Sequence, residues 1–469
     1  VISSSAYRLV APAPAALHPS SRVPAWVWAG VAAMHVLFLA WQLYHQHPQF
    51  PDSDRYLEAA RNLREAGVLY ARPLTQLPLQ PQEYSIRPPG YPAVLALLGA
   101  PGQQVPVVLL VLQNLLSFLN LSLMLRWVAR HSVLGSRAKW GAVLLLTVAA
   151  PAQGIYANVL MSELLLQTAV VVLALGLLGF SKTGRVSYGM GAAVAAAAAL
   201  LIKPVFYPFA LVFLLLSCWS AWRQKRPWLL ALGLIPVLVA GAWQWRNLER
   251  TGYWHFSSIA EINLLRYNVR AVLQYTEGAE AAEQFLDTTI AAAEHQPSFA
   301  AQQRYIQRQS QVALQRHAVA YSLLHLQGMG NFFLDPGRFD IVYFFGLPQP
   351  KSGLLSQFSQ QGYSGVGHYL RQLPLGLLAV LLAVALANAG RLLLALRFAL
   401  NRAYPLQERL LLLGLVLYVA VLTGPLGASR FVVPVLPLLL AAAALGLSRP
   451  QTANNRSTKK PLSRSGKGL

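Results

Sequence analysis

The 469-residue chain carries 38 Lys and Arg against 16 Asp and Glu, a formal charge of +22, yet 55% of it is hydrophobic and only 12% is charged. Several apolar stretches approach the ~20 residues that cross a bilayer core, so the composition excludes a soluble globule and reads as an all-α polytopic membrane protein. The single cysteine, Cys218, allows no internal disulfide, so any part outside the membrane must be stable without one.

In chain order, spans are predicted over 25–44, 105–128, 140–152, 160–180, 187–202, 206–222, 228–245, 373–392, 410–423 and 431–447, about ten transmembrane helices. The first follows a segment 1–24 and is too long for a cleavable signal, so it is expected to be retained. Arg126, Arg130, Arg137 and Lys139 follow the second span, Lys182 and Arg185 the fourth, and Arg223, Lys225 and Arg226 the sixth. Arg391, Arg397, Arg402 and Arg409 precede the ninth, and 449–469 is a basic tail. Every second loop is therefore basic, which places both termini in the cytoplasm. The acids fall on the other side: Asp52, Asp54, Glu58, Glu65 and Glu83 in a first outward loop, 45–104, and Glu249 to Asp340 in a long outward segment, 246–372. A module 25–245 and C-terminal helices 373–448 flank that segment. The surplus positive charge then faces an anionic leaflet, so membrane lipids are partners and nucleic acid is not.

Two regions outside the bilayer carry chemistry. In the first outward loop, Tyr56, Leu57, Ala60 and Leu63 share one stripe of a helix over 54–66, the pattern of an interfacial helix with Asp52 or Ser53 as its cap. Arg87 precedes Pro88-Pro89-Gly90, a stiff turn that holds its side chain near the acidic segment and suits phosphate binding better than a free surface role. The long segment is helical over 279–326 and rich in Pro, Gly and aromatics over 334–350, a small, mainly helical outward cap.

Other polar residues mark span ends. Lys203, before Pro204, reads equally as a snorkelling lysine or a phosphate contact. Arg246 and Arg430 end spans on the side that basic residues avoid, which points to a sugar-phosphate or pyrophosphate-like ligand. Glu163 opens the fourth span, where a salt bridge or a contact to a cation or acceptor would offset its cost. His255 reads as a packed interfacial histidine before a ligand, and Trp243, Trp245, Tyr253 and Trp254 as an aromatic belt before a sugar platform. No phosphate loop, HExxH helix or Cys/His cluster occurs, so energy must arrive with an activated substrate, and no cofactor is required.

Asp52-Ser53 with Tyr56, Ala60, Asn62-Leu63 and Gly67, followed by Arg87-Pro88-Pro89-Gly90-Tyr91-Pro92, resembles the first outward loop of bacterial GT-C superfamily glycosyltransferases that use polyprenyl-phosphate sugars, the group of protein mannosyltransferases and aminoarabinose transferases. Ser162-Glu163, Lys203-Pro204, Trp245-Arg246-Asn247 with Thr251-Gly252, and Arg430-Phe431 with Pro434 follow in the same order. The resemblance implies an inverting transferase of the bacterial cytoplasmic membrane, working at its outer face on a lipid, glycan or protein acceptor. It places Asp52 at the catalytic aspartate, as general base. Asp54 is left to assist, to bind a divalent cation or to cap the helix. Arg87, Lys203, Arg246 and Arg430 are expected at the donor phosphate, and Tyr56, Glu163, Asn247 and His255 in substrate or structural roles. The alternative is a transporter or flippase of lipid-linked saccharides, which would show ionisable residues deep in spans or paired broken helices.

Overall fold

The computed structural model describes residues 22–348, 371 and 373–450. The expected tail beyond 450 and nearly all of the segment 1–24 lie outside them. Helix α1 (Ala25–His45) leads to α2 (Ser53–Ala66) and α3 (Gly90–Leu97), then to the long α4 (Val107–His131). There follow α5 (Arg137–Val148), α6 (Pro151–Tyr156), α7 (Glu163–Thr183), α8 (Val186–Ile202), α9 (Phe209–Gln224) and α10 (Leu229–Thr251). A run of shorter helices comprises α11 (Ile259–Asn263), α12 (Arg270–Thr276), α13 (Ala279–Glu294), α14 (Phe299–Arg316), α15 (Ala318–Leu334) and α16 (Arg338–Phe344). The chain closes with α17 (Leu375–Leu400), α18 (Leu406–Leu422), the single turn α19 (Ser429–Val432) and α20 (Leu436–Leu447).

Among the described residues seven helical stretches are long and apolar enough to cross a membrane, two of which, Pro204–Gln224 and Ser429–Leu447, join α9 and α20 to the short turns before them. The other three expected spans form α5, α8 and α18, helices of 12, 17 and 17 residues, the first well below and the other two at the lower edge of the ~17–25 that cross a bilayer. The 12-residue α5 is cut short by Pro151, which has no N–H to continue the ladder. At the break Ala150 N–H turns to Thr147 O, and Gln153 N–H to Ala150 O.

Arg391 resolves that break and corrects its expected place in a loop. It lies inside α17, 3% exposed, where Nε donates to Leu146 O at 3.0 Å and Nη2 to Ala149 O at 2.6 Å. Those carbonyls lose their ladder donors at the break, because Ala150 and Gln153 N–H have turned to Thr147 O and Ala150 O, so a costly buried cation is spent on completing a helix end. Asn388, one turn earlier, accepts from Arg391 and donates to Asp335 O at 2.9 Å.

Chain direction alternates, so α1, α8 and α10 finish where α4, α7 and α20 begin. Helices α2 and α3 pack on each other at that end of the bundle. At the opposite end a two-residue antiparallel pairing joins Ser132 and Val133 to Pro450 and Arg449. The continuous helix expected over 279–326 is interrupted after His295, where Ser298 caps α14 by accepting Ala301 N–H at 3.2 Å, and again at His317. Leu265, Val269, Leu273, Ala282, Leu286, Ala293, Ile306 and Ala313 give this region its own core. Helix α15 packs on α12 of this region and also on α17 and α18, and a Cβ on Gly328 would overlap the Gly424 carbonyl oxygen.

Candidate active site

The end of the bundle where α1 finishes gathers charges from five chain segments. Asp52 precedes α2, and the loop that carries it is stitched to the loop before α7. Ser53 Oγ accepts Phe50 N–H at 2.8 Å and donates to Leu160 O at 2.9 Å, while Leu160 N–H reaches Pro48 O at 2.8 Å. Neither Asp52 nor Ser53 caps α2 through its side chain, contrary to expectation, because both are engaged elsewhere. Tyr56, one turn on, bonds Ser162 Oγ at 3.1 Å and so fixes the start of α7 against the same helix. Asn62 donates to Tyr70 O and Arg72 O, and Gly67, at φ 66°, ends the helix in a left-handed turn that favours glycine.

Arg87 leaves the chain just before α3. The N-terminus of α3 lies against the end of α8, where a Cβ on Gly90 would come within 2.8 Å of Leu201 O. That approach brings the Arg87 turn beside Lys203, whose extended backbone ends α8 at Pro204. Gly90→Ala is therefore expected to displace backbone and cost about 1–3 kcal/mol, as overpacking does, read as a lower thermal midpoint in detergent. An unchanged midpoint would mean that the two segments are not held this close.

The charges form one alternating array. Arg87 Nη2 meets Asp52 Oδ1 at 2.7 Å, and Arg430 Nη2 meets Asp52 Oδ2 at 2.7 Å. Arg430 Nε reaches Glu163 Oε1 at 2.6 Å, and Lys203 Nζ reaches the same oxygen at 2.6 Å. Three cations against two carboxylates leave a net positive charge. The Asp52 side chain is 31% exposed and Glu163 is wholly buried, so the array is open at its Asp52 end. Burial pushes the Asp52 carboxyl up, but the Arg87 and Arg430 guanidinium groups outweigh it and hold the carboxyl well below the usual carboxylate range. The Arg87 guanidinium lies 4.8 Å over the Tyr56 ring, which Tyr91 meets edge-on at 5.1 Å. Two buried polar atoms in the array, Arg87 Nε and Glu163 Oε2, have no hydrogen-bond partner.

The structure thus brings together Asp52, Arg87, Lys203, Arg430, Glu163 and Tyr56. Asp54 faces away, exposed. Both Asp52 oxygens are taken by guanidinium groups, and no group of three or more His, Cys, Asp or Glu side chains is assembled among the described residues.

Arg246 also stands apart. It donates to Tyr84 O at 2.5 Å, Leu69 O at 3.1 Å and Asn247 Oδ1 at 3.1 Å, with Trp243 beneath it at 4.9 Å. Its donors hold two loop carbonyls and the Asn247 side chain, so the structure places it beside the chain that precedes Arg87 and not in the array. Asn247 donates to His255 O and Phe256 O. His255 Nδ1 bonds a carbonyl, Tyr253 O, at 2.7 Å, so that nitrogen carries the proton and Nε2 accepts the Ser85 hydroxyl at 2.6 Å. Burial lowers its pKa. Ser257 and Ser258 donate to Ile86 O and Gln82 O, so the segment after α10 pins the chain immediately before Arg87. These residues join the segment after α10 to the loop that carries Arg87.

A second cluster had no sequence signal. Asp340 Oδ2 accepts the Ser429 hydroxyl at 2.7 Å, and its Oδ1 accepts the Tyr156 hydroxyl at 3.0 Å. Asp335 Oδ2 accepts Ser429 N–H at 2.8 Å. The three partners come from segments tens to hundreds of residues apart, which no local motif reveals.

Fold and site together define a helical, multi-pass membrane protein with a net positive ion array and one partly open carboxylate at one end of its bundle. No protein-family model matches the chain, and no curated protein does. Among solved structures it is similar to the crystal structure of ArnT from Cupriavidus metallidurans bound to undecaprenyl phosphate, at 16% identity and a TM-score of 0.40, over 90% of this chain and 77% of that one. It is also similar to the arabinosyltransferase EmbB from Mycobacterium smegmatis, at 16% identity and a TM-score of 0.38, over 94% of this chain and 42% of that longer one.

Proposed function

We propose that the protein is an inverting glycosyltransferase that moves a sugar from a polyprenyl-phosphate donor to a lipid, glycan or protein acceptor at the outer face of a bacterial cytoplasmic membrane. The observation that carries this reading is the array itself: one partly open carboxylate bridged by two arginines, with surplus positive charge, at the end of an apolar bundle. The order of motifs from Asp52 to Arg430 supports the same class.

In the proposed reaction an acceptor hydroxyl or amine attacks the anomeric carbon on the face opposite the phosphate. Asp52 takes the acceptor proton as the new bond forms, and the bond from the anomeric carbon to the phosphate oxygen breaks with its electron pair going to the phosphate. Arg87, Arg430 and Lys203 stabilise the charge on the departing polyprenyl phosphate. Tyr56 sits beneath the Arg87 guanidinium and orients it. The prenyl chain lies along apolar helix faces.

Donor binding tests the reading directly. Arg87→Ala is expected to weaken undecaprenyl phosphate binding about tenfold, the worth of a charge-assisted contact of 1.5–3 kcal/mol partly replaced by water, when the lipid is titrated into purified protein in detergent. An unchanged affinity would remove Arg87 from the phosphate site. The transporter reading gains nothing from the structure: the buried cation deep in a span, Arg391, is bonded to carbonyls at a helix break.

A further inference from the structure

Ser429, the residue before Arg430, is gripped from two sides. Asp335 accepts its backbone N–H at 2.8 Å and, through its other oxygen, Gly337 N–H at 3.0 Å. Asp340 accepts its hydroxyl at 2.7 Å and the Tyr156 hydroxyl at 3.0 Å. Gly337 has φ 75°, and a Cβ there would come within 2.8 Å of Ser429 Oγ, so the turn between the two acids is shaped around this serine. Asp340 is 5% exposed, and neither acid forms an ion pair among the described residues.

That arrangement is costly for what it would achieve as packing alone. A buried carboxylate without a paired cation is disfavoured, and an uncharged side chain would hold one serine at less cost. What the two acids do fix is the backbone from which Arg430 projects. Arg430 has to reach Asp52 and Glu163 at once, with Nη2 and Nε on different carboxylates, and a displacement of one ångström breaks both contacts.

We propose that Asp335 and Asp340 are positioning residues: by clasping Ser429 they set the height and direction at which Arg430 enters the site, and so its ability to bridge Asp52 and to receive the donor phosphate. The proposal rests on the reading of Arg430 as a phosphate contact. Asp335 acts through the backbone, Asp340 through the hydroxyl, and Tyr156, 1% exposed, holds the second Asp340 oxygen in place. Burial, opposed by the two hydroxyl donors, pushes the Asp340 carboxyl up to about 6, which leaves it mainly ionised at neutral pH. The clasp also ties the site to the bundle core, since Asp335 O receives Asn388, which in turn receives Arg391.

The test is a double-mutant cycle on the full chain in detergent, with undecaprenyl phosphate affinity as the readout and the thermal midpoint measured in parallel. Asp340→Asn removes the charge while keeping the shape, and is expected to weaken binding about five- to tenfold, within the range of coupled neighbours. Arg430→Ala is expected to weaken it at least as much, and adding Asp340→Asn to it should cause no further loss, because the clasp then has nothing to position. Ser429→Ala, which removes one hydroxyl, should behave like Asp340→Asn and serves if that variant does not fold. A merely structural cluster would lower the midpoint yet leave the affinity of the folded protein unchanged. That result, or losses that multiply in the double variant, overturns the proposal while leaving the phosphate site standing. Wild-type affinity in Arg430→Ala overturns the phosphate-site reading and the clasp with it.

Discussion

Asp52→Asn is expected to lower the turnover of sugar transfer by roughly 10²–10⁴-fold, the share that a positioned general base contributes, with the protein still folded. The amide keeps the shape and one acceptor oxygen, but it cannot take a proton. Removing the charge also leaves the array more positive, because Arg87, Lys203 and Arg430 then face Glu163 alone. Donor affinity should therefore hold or rise while turnover collapses, a split that separates a base from a phosphate holder. Initial rates with a polyprenyl-phosphate sugar, set beside undecaprenyl phosphate titrations, measure both. Full turnover in the variant would rule Asp52 out as the base.

Glu163→Gln is expected to have the largest effect on stability. One Glu163 oxygen receives both Arg430 and Lys203 at 2.6 Å, and the side chain has no exposure. Removing its charge leaves two cations facing each other in a dry site, and breaking a buried pair this way costs about 3–5 kcal/mol. The partly exposed Arg61–Glu58 pair, three residues apart on α2, contributes about 0–1 kcal/mol. Burial, not the count of ion pairs, decides the difference. Thermal unfolding in detergent should show a clearly lower midpoint for Glu163→Gln and little change for Glu58→Gln. Equal midpoints for the two variants would mean that Glu163 is not the anion that holds the array together.

Much of this was legible in the sequence, for physical reasons that differ by residue. Apolar runs located each of the seven stretches long and apolar enough to cross a membrane, because a bilayer demands length and composition that chance rarely supplies. Arg87 and Lys203 were legible because proline fixes the backbone beside each of them. What pattern could not supply was three-dimensional pairing. Glu163 and Arg430, 267 residues apart, were separately suspected, and only the fold joins them through one oxygen. Arg246 was grouped with the array because a cation at a span end looks the same in sequence whether it joins that cluster or meets three oxygen atoms of its own chain. Arg391 was misplaced for a related reason: a basic residue near the end of an apolar run reads as a loop unless the broken helix it completes is seen. Asp335 and Asp340 were hidden because their partners, Ser429 and Tyr156, are residues with no signal of their own.

The array also has an order of arrival. Asp52 with Arg87, and Glu163 with Lys203, are two balanced pairs encoded before residue 204, so the first half of the chain can enter the membrane with its buried charges already matched. Arg430 comes from the turn that opens the last helix, and it is the third cation that leaves the array net positive. Domains emerge N-terminus first during synthesis, so the array becomes net positive, as the proposed donor-phosphate site requires, only when the final helix is in place.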